Sequence, residues 1–411
     1  MQNSFVIVAH VPTDSVMKGF IPELRRRSQP LLIVTDQMER HLPYIESGLL
    51  DAEELLAVDV FNPVAILNLL SQHQVNPSAV FTNSDHLQTS TSIVADFYGL
   101  PRKDWHACYR AKNKLVMRQT IQDASLDNVW FHLAYTMSDL QVSDIHFPCI
   151  AKPVEGVASE NVILAEHLSQ LEEYAKAFWR SHPGQPLLLE EFLSGSLHSL
   201  ETLGDGTELH VMGSFATTLS EPPYFIELGR RFSRAIDESV LATLLEQLRA
   251  LGVGFGSCHT EFVMTQDGPR LIEVNYRNIG DQSDFLLAEA LEFDLFAALV
   301  DLYLGLPLRA LPDGSQTAFI DYQIAKQSGV IGDVPVAQSY EKDGCKISFR
   351  PVCEQGAHHK QDNSNRDYLS VLWVTGASEQ MVQPIFMQCI EAFRIQVGEQ
   401  QTEETYQEAM A

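Results

Sequence analysis

Three oxygen-bearing side chains fall on two apolar stretches that a short turn joins. Glu261 lies in the first stretch, residues 258–264, and Glu273 and Asn275 lie in the second, residues 270–277. The apolar content of both stretches and the turn-like sequence between them favour a hairpin. Carboxylate and amide oxygens are hard donors that suit Mg²⁺, which usually leaves its remaining positions to water and phosphate. The residues therefore predict a hairpin that binds a divalent metal.

Alternation along a strand decides which of these side chains can act together. Because residues i and i+2 share a face, Glu273, Asn275 and Arg277 are predicted to project together, as are His259 and Glu261 on the partner strand. An arginine beside the metal site indicates an anionic ligand. For any single one of these motifs, a half-buried hairpin with its polar face in solvent is the plainer interpretation.

Two lysines upstream could reach such an anion. Lys152 ends an apolar strand just before a loop of small residues, where its ammonium group and the backbone N–H groups from Gly156 to Ser159 can meet the same phosphate oxygens. Lys114 lies on a helix-compatible segment. Taken alone, each lysine is more simply a solvated surface charge.

A further apolar stretch, residues 187–193, is predicted to be a strand that could hold adenine. It offers apolar walls and an exposed backbone edge beside Glu190 or Glu191. Two lysines, this strand and the metal hairpin, in that order, predict a nucleoside triphosphate site. The chain has no G-x-x-x-x-G-K-[ST] motif, so we do not expect a P-loop fold.

Composition limits the partners of the protein. With 411 residues, the chain is long enough for two to four packed subdomains. Its net charge of −26 argues against nucleic acid, which needs a positively charged face. Six scattered cysteines without metal-type spacing, and no long apolar segment, lead us to expect a cytoplasmic protein with no membrane partner.

The N-terminal pattern predicts an α/β fold. Short apolar runs at residues 5–9, 31–35 and 79–82 alternate with helix-compatible segments, which implies a parallel sheet with helices on both faces. The first run is not followed by G-x-G-x-x-G, so a dinucleotide site there has no support. Further along, leucines at helical spacing from Leu241 to Leu251, ended by Gly252, predict an amphipathic helix.

Five motifs in order resemble the ATP-grasp superfamily and, within it, the carboxylate–amine ligase group. They are Asn113-Lys114-Leu-Val-Met117-Arg118, Cys149-Ile-Ala-Lys152-Pro153, Glu190-Glu191-Phe192-Leu193-Ser194-Gly195, His259-Thr-Glu261 and Ile272-Glu273-Val-Asn275-Tyr-Arg277-Asn-Ile-Gly280-Asp281. The resemblance implies an α/β (α+β) protein in three parts. These are an N-terminal Rossmann-like domain (1–105), an ATP-grasp domain with a large antiparallel sheet (106–310, with a small lid at about 125–195) and a C-terminal mixed α/β subdomain (311–411).

The resemblance also implies roles for individual residues. Lys114, Lys152, Gly156 and Ser159 would contact the ATP phosphates, and Glu190, Glu191 and the backbone at Phe192 and Leu193 would hold adenine. Glu261, Glu273 and Asn275 would bind Mg²⁺ or Mn²⁺, and Arg277 would stabilise the phosphoryl group in transfer. The acidic residue that commonly binds ribose in this family is replaced by Leu197.

The substrate contacts are less defined by the motifs. Arg230, Arg231 and Arg234 are candidates to bind a substrate carboxylate, and Asp281 closes the last motif. A surface helix terminus is an equally good interpretation of the arginine cluster.

The activity implied is an ATP-dependent ligase that forms an amide. A small carboxylic acid would become an acyl-phosphate, and an amine or amino acid would displace the phosphate, as in siderophore or other secondary-metabolite assembly. Two alternatives stay open: a carboxylase or purine-type ligase that uses bicarbonate or formate, and a non-catalytic ATP-binding regulator. The expected partners are the small-molecule acid and amine, and a homodimer is left open.

Overall fold

The N-terminal region of this computed structural model is a parallel sheet with helices between its strands. The structure describes residues 3–141, 144–156 and 160–399. The elements are β1 (Asn3–Val8), α1 (Ile21–Arg26), β2 (Leu31–Thr35), α2 (Met38–Glu46), β3 (Leu55–Ala57), α3 (Pro63–Gln72), β4 (Asn76–Phe81) and α4 (Gln88–Phe97). The strands pair in parallel in the order β3-β2-β1-β4. The predicted parallel α/β sheet is therefore confirmed.

The middle of the chain contains helices and mostly antiparallel strands. The elements are α5 (Trp105–Lys112), α6 (Lys114–Asp123), β5 (Phe131–Ala134), β6 (Cys149–Pro153), β7 (Ile163–Ala165), α7 (Leu168–Ser181), β8 (Leu187–Glu191), β9 (Ser196–Asp205), β10 (Leu209–Leu219), β11 (Glu227–Ser233), α8 (Glu238–Leu251), β12 (Phe255–Thr265), β13 (Gly268–Asn275), α9 (Ser283–Ala290) and α10 (Leu295–Tyr303).

The last hundred residues are mostly strand. The elements are β14 (Thr317–Ile324), β15 (Gly329–Ile331), β16 (Gln338–Lys342), β17 (Cys345–Pro351), β18 (His358–His359), β19 (Tyr368–Gly376), α11 (Glu379–Ala392) and β20 (Val397–Glu399). Among the residues that the structure describes, no helix is both long and apolar enough to cross a bilayer.

The chain folds into two units, and each of them is built from three separate stretches of the sequence. The first unit takes its described residues from 1–129, 193–214 and 234–314, and the second from 130–192, 215–233 and 315–411. The predicted three-part division of the chain stays a prediction. Each unit has its own buried cores, described separately below.

The first unit contains the parallel sheet and an antiparallel set of strands. β12 pairs with β13 on one side and with β9 on the other, and β9 is followed by β10. α8 packs its buried leucines against these strands and against α5 and α6. The helix begins where the Asp237 carboxylate accepts the N–H groups of Ser239 and Val240, and it ends at Gly252, whose φ of 86° only glycine adopts readily. The predicted amphipathic helix is confirmed.

The second unit contains two sheets and a small three-stranded one. Strands β5-β8-β6-β7 form one sheet, which packs on α7. Strands β11-β14-β19-β17-β16 run antiparallel, and α11 covers one face of them. The antiparallel sheets of both units agree with the fold class predicted from the sequence.

Candidate functional site

The hairpin of β12 and β13 places the predicted metal ligands opposite one another. In the antiparallel register Glu261 is paired with Glu273, and His259 is paired with Asn275. The first pair places two carboxylates directly across the ladder, an arrangement that repels unless a cation lies nearby. The two opposed carboxylates are therefore stable only if positive charge lies nearby.

Two cationic side chains of the first unit supply this positive charge. Lys114 Nζ lies 3.0 Å from Glu273 Oε1, and His259 Nε2 lies 3.1 Å from Glu261 Oε1. On the far side of the histidine ring, Nδ1 lies 2.7 Å from Oε1 of the buried Glu201, which β9 places opposite His259. The two carboxylates of the hairpin thus each have a cationic partner, and His259 is held between Glu201 and Glu261.

The pKa values of these cations follow their neighbours. Burial opposes the charge on Lys114, but the Glu273 carboxylate outweighs it, so the pKa of Lys114 is raised. Burial also opposes the charge on His259, yet Glu201 and Glu261 together raise its pKa to about 9. Both side chains are therefore cationic at neutral pH.

The donor set fits Mg²⁺. Glu261, Glu273 and Asn275 offer two carboxylates and an amide oxygen from adjacent register positions, and Asn275 is buried. Within the described ranges, no group of three His, Cys, Asp or Glu side chains is arranged to hold a metal. A metal here would therefore depend on the Asn275 amide and on oxygens that come from water or substrate.

Arg277 lies just beyond the metal strand. β13 ends at Asn275, and the Arg277 N–H donates to the Asn275 carbonyl at 2.7 Å, so the chain turns before the arginine. The strand alternation was predicted to place Arg277 on the face of Asn275, but the strand ends at Asn275, two residues before Arg277. The guanidinium donates to the Asn278 carbonyl at 2.6 Å. Asp281 is exposed in the following segment, with a φ of 54°.

In the second unit, the predicted phosphate lysine is paired with a predicted adenine residue. Lys152 Nζ lies 2.6 Å from Glu190 Oε2, and both side chains are buried. They come from the neighbouring antiparallel strands β6 and β8. An ion pair this deeply buried stabilises only when its hydrogen bonds are satisfied, so it is a costly feature for a merely structural strand. Gly156 follows at the end of a described segment, and Ser159 lies outside the described residues.

The prediction that a backbone edge is exposed beside Glu190 or Glu191 is wrong. β8 is a central strand: Glu190 pairs with Phe131 on one side and with Ile150 on the other. The N–H of Glu191 donates to the Trp130 carbonyl and that of Phe192 to the Pro148 carbonyl. Both edges of β8 are therefore paired at Glu190, and neither is an exposed backbone edge there.

The close approach of its backbone to β12 explains why the same motif has a glycine at position 195. A Cβ on Gly195 would come within 2.1 Å of the Met264 carbonyl oxygen on β12. Leu197, at the position of the ribose acid in the resemblance, pairs with Val263 on β12 and is half-buried. The segment after Phe192 is thus held against the metal hairpin within the first unit.

The three arginines serve different purposes. Arg231 is exposed and pairs with Glu379, and Arg234 donates to the carbonyls of Val211 and Met212 at 2.8 and 2.6 Å. Arg230 is buried and donates through Nε to Glu227 Oε2 at 2.8 Å and through Nη1 to the Tyr322 hydroxyl at 3.1 Å. Of the three, only Arg230 lies in a buried polar cluster.

Sequence reasoning missed Glu201 and Glu227 as members of these clusters. Each is one acidic residue on a long strand, and its partner becomes evident only from strand register in the case of Glu201 and from the guanidinium contact in the case of Glu227. His259 did carry a signal, since its place two residues before Glu261 put it on the same strand face.

Comparison with known proteins identifies a matching domain family. A family described as an ATP-grasp domain matches residues 111–281, a range that includes all five motifs. The chain contains an ATP-grasp domain. Within that domain lie the paired carboxylates, Asn275, both lysines and Arg277.

Relatives also match by sequence, and two of them are described here. The uncharacterized protein y4rH of Sinorhizobium fredii is 25% identical over 346 residues, which is 80% of this chain and 70% of that protein. Dapdiamide A synthase of Enterobacter agglomerans is 22% identical over 253 residues, which is 57% of this chain and 59% of the synthase. The match to the synthase thus spans less than two thirds of its length.

Solved structures share the fold. The L-amino acid ligase of Bacillus licheniformis superposes with a TM-score of 0.77 at 18% identity, over 97% of this chain and 100% of that one. The biotin carboxylase of Campylobacter jejuni superposes with a TM-score of 0.67 at 14% identity, over 96% of this chain and 92% of that one. At these identities the likeness shows the fold alone.

Proposed function

We propose that this ATP-grasp protein is an ATP- and Mg²⁺-dependent ligase. It converts a small carboxylic acid to an acyl-phosphate and couples it to an amine or amino acid, with ADP and phosphate as the other products. The observation that carries the proposal is the Glu261–Glu273 pair with Asn275 beside it and with Lys114 and Arg277 in the same unit.

The chemistry of a carboxylate explains why ATP is needed. A carboxylate is a poor acyl donor because its leaving group would be oxide, whereas phosphate leaves readily. Catalysis of phosphoryl transfer is mainly positioning and charge neutralisation, and it needs no nucleophilic side chain. A bound Mg²⁺ would supply part of that neutralisation.

The side chains of the first unit have clear tasks in this scheme. Glu261, Glu273 and Asn275 hold the metal, and Lys114 and Arg277 neutralise phosphate charge. Arg277, with its guanidinium beyond the end of β13, is the catalytic residue of the proposal because it stabilises the phosphoryl group in transfer. Lys114 is held in place by Glu273 before any ligand binds.

Further residues are proposed to contact ATP. Lys152 and Gly156 bind phosphate, and Glu190, Glu191, Phe192 and Leu193 bind adenine. Arg230 is the best candidate for a substrate carboxylate, because it is a buried cation in a cluster with Glu227 and Tyr322. Arg231 and Arg234 already serve structural contacts.

The names of the relatives favour amide formation over carboxylation. The L-amino acid ligase has the higher TM-score of the two solved structures, 0.77 against 0.67 for the carboxylase. Dapdiamide A synthase matches by sequence as well. The acid, the amine and the pathway stay open, and siderophore or other secondary-metabolite assembly is one setting that fits.

A substrate panel tests the proposal. The purified full-length protein is incubated with Mg²⁺-ATP, a set of small carboxylic acids and the common amino acids and amines, and ADP, phosphate and new amide masses are measured. We expect ADP release that requires both an acid and an amine. ATP turnover that depends on bicarbonate alone would favour a carboxylase, and ATP binding without turnover for any pair would favour a regulator.

A further inference from the structure

A histidine–aspartate pair lies at the carboxyl end of the parallel sheet. His10 follows β1 and Asp36 follows β2, and His10 Nδ1 lies 2.8 Å from Asp36 Oδ1 and 3.0 Å from Oδ2. The side chains are 34% and 23% exposed, so both are open to solvent without being fully free. In open α/β sheets, ligands bind beyond the carboxyl ends of the strands. We call the loops that follow β1, β2 and β4 the sheet edge.

The pair has the arrangement of an oriented base. A carboxylate that accepts the Nδ1–H of a histidine fixes the tautomer and leaves the Nε2 lone pair available to accept a proton. The Phe61 ring meets the imidazole edge-on, with 5.3 Å between ring centroids, and this further restricts its orientation. Nothing in the phosphoryl-transfer chemistry proposed above uses this histidine.

The sheet edge is attached to the segment that follows Arg277. The Asn278 N–H donates to Asn83 Oδ1, after β4, at 3.2 Å. The Ser15 hydroxyl, after β1, donates to Asp284 Oδ2 at 2.5 Å, and Gln282 Nε2 donates to Asp14. Three hydrogen bonds from two loops thus join the edge to the chain that carries the proposed phosphoryl-binding arginine.

The charges around the edge agree with this connection. His86, after β4, interacts electrostatically with Lys112, Arg277 and His10, and burial followed by the Lys112 charge lowers its pKa. Asp85 is paired with Lys112. The cations Lys112 and Arg277 thus lie near His86, and the carboxylates of the sheet edge are engaged: Asp14 by Lys18, Asp36 by His10 and Asp85 by Lys112.

We propose that His10, oriented by Asp36, is the general base that accepts a proton from the incoming amine, and that the sheet edge is the amine subsite. This rests on the proposed ligase function. An amine is protonated at neutral pH and cannot attack until one N–H bond breaks and the proton passes to His10 Nε2. The nitrogen lone pair then forms the C–N bond, the C–O bond to phosphate breaks, and its electron pair leaves with phosphate, which takes the second proton from the new amide nitrogen.

Two nucleophiles separate this role from activation of the acid. Hydroxylamine is unprotonated at neutral pH and traps an acyl-phosphate as a hydroxamate without a base. We compare wild type and His10→Gln with the best acid of the panel, using hydroxylamine in one arm and the best amine in the other. The variant should lose about 100-fold or more in kcat with the amine, and less at high pH, where the amine is already neutral, while hydroxamate formation changes by less than about twofold.

Asp36 and a matched pair elsewhere complete the test. Asp36→Asn should also reduce amide formation selectively, with an unchanged KM for ATP, because it acts through the orientation of His10. His106 on α5 and Asp104, the residue that caps this helix, form a similar pair with 3.0 Å between Nδ1 and Oδ1. Neither residue belongs to the sheet edge, so His106→Gln should leave both arms unchanged.

Three outcomes would overturn the proposal. Equal losses with both nucleophiles in His10→Gln would show a structural role, and no loss with the amine would show that His10 is not the base. Absence of any hydroxamate from the wild-type protein, with every acid tested, would instead refute the ligase function itself, and the amine subsite with it.

Discussion

Glu261 and Glu273 are the two carboxylates of the proposed metal site. Their direct opposition across β12 and β13 is unfavourable unless it is neutralised, and the structure neutralises it with Lys114 and His259. A metal ion would supply more charge at the same place. The residue arrangement therefore explains why binding of a cation should stabilise the folded protein.

Glu273→Gln tests that link between charge and binding. The variant removes one metal ligand and leaves the buried Lys114 without its carboxylate, so ATP turnover should fall by roughly 100-fold or more. Mg²⁺ with ADP should raise the melting temperature of the wild type but not that of the variant. Glu246→Gln, at an exposed position on α8, is the control and should behave as the wild type. Equal stabilisation of Glu273→Gln would contradict the assignment of Glu273 as a ligand.

Asp284 gives a prediction on stability and pH. Burial raises the pKa of this carboxyl group to about 7, and the Ser15 hydroxyl donates to it. Between pH 4 and pH 7 the unfolded state would ionise Asp284 while the folded state keeps it neutral, so the free energy of unfolding falls as pH rises through this window.

Asp284→Asn should remove that slope. The unfolding free energy of the variant, minus that of the wild type, should rise from pH 4 to pH 7 by at most about 4 kcal/mol, as measured by denaturant titration. Asp267→Asn, in the exposed turn between β12 and β13, should show no such change. A difference that is independent of pH would mean that Asp284 is ionised in the folded protein.

At the scale of elements, the close contact between the start of β9 and the end of β12 fixes how the segment after Phe192 is held. Gly195 allows the backbone of this segment to approach the Met264 carbonyl. Gly195→Ala should lower the unfolding free energy by roughly 2 kcal/mol or more, because the new methyl group would displace backbone rather than a flexible side chain.

The matched control for Gly195→Ala is Gly314→Ala. A Cβ at Gly314 meets no atom within 4 Å, so this change should alter stability by no more than a few tenths of a kcal/mol. Denaturant midpoints measure both variants. Equal midpoints for the two would show that the approach of β9 to β12 is looser than the structure describes.

Element patterns also show how far the sequence could predict this molecule. The apolar runs predicted β1, β2 and β4 as parallel strands, and the leucine spacing predicted α8, because both signals are local. The central position of β8 was missed, since its pairing with β5 and β6 depends on residues 34 (Leu187 to Pro153) to 59 (Glu190 to Phe131) positions away in the chain. Glu201 was missed for the same reason: only the register of β9 against β12 brings it to His259.

At the scale of the whole molecule, the matched ATP-grasp domain does not coincide with either structural unit. The matched range of 111–281 draws residues from both units, while the parallel sheet lies outside it. If the sheet edge binds the amine, the matched domain and the N-terminal sheet have separate tasks, one in activating the acid and the other in receiving the amine. Both tasks then depend on one intermediate, the acyl-phosphate.

Oxygen-18 transfer tests that intermediate most directly. The acid that supports ATP turnover is labelled in its carboxylate oxygens and incubated with the protein, Mg²⁺-ATP and the amine, and the inorganic phosphate is analysed by mass. Attack of the carboxylate on the γ-phosphorus moves one labelled oxygen into phosphate, so the account predicts labelled phosphate together with ADP. Unlabelled phosphate, or AMP carrying the label, would contradict it.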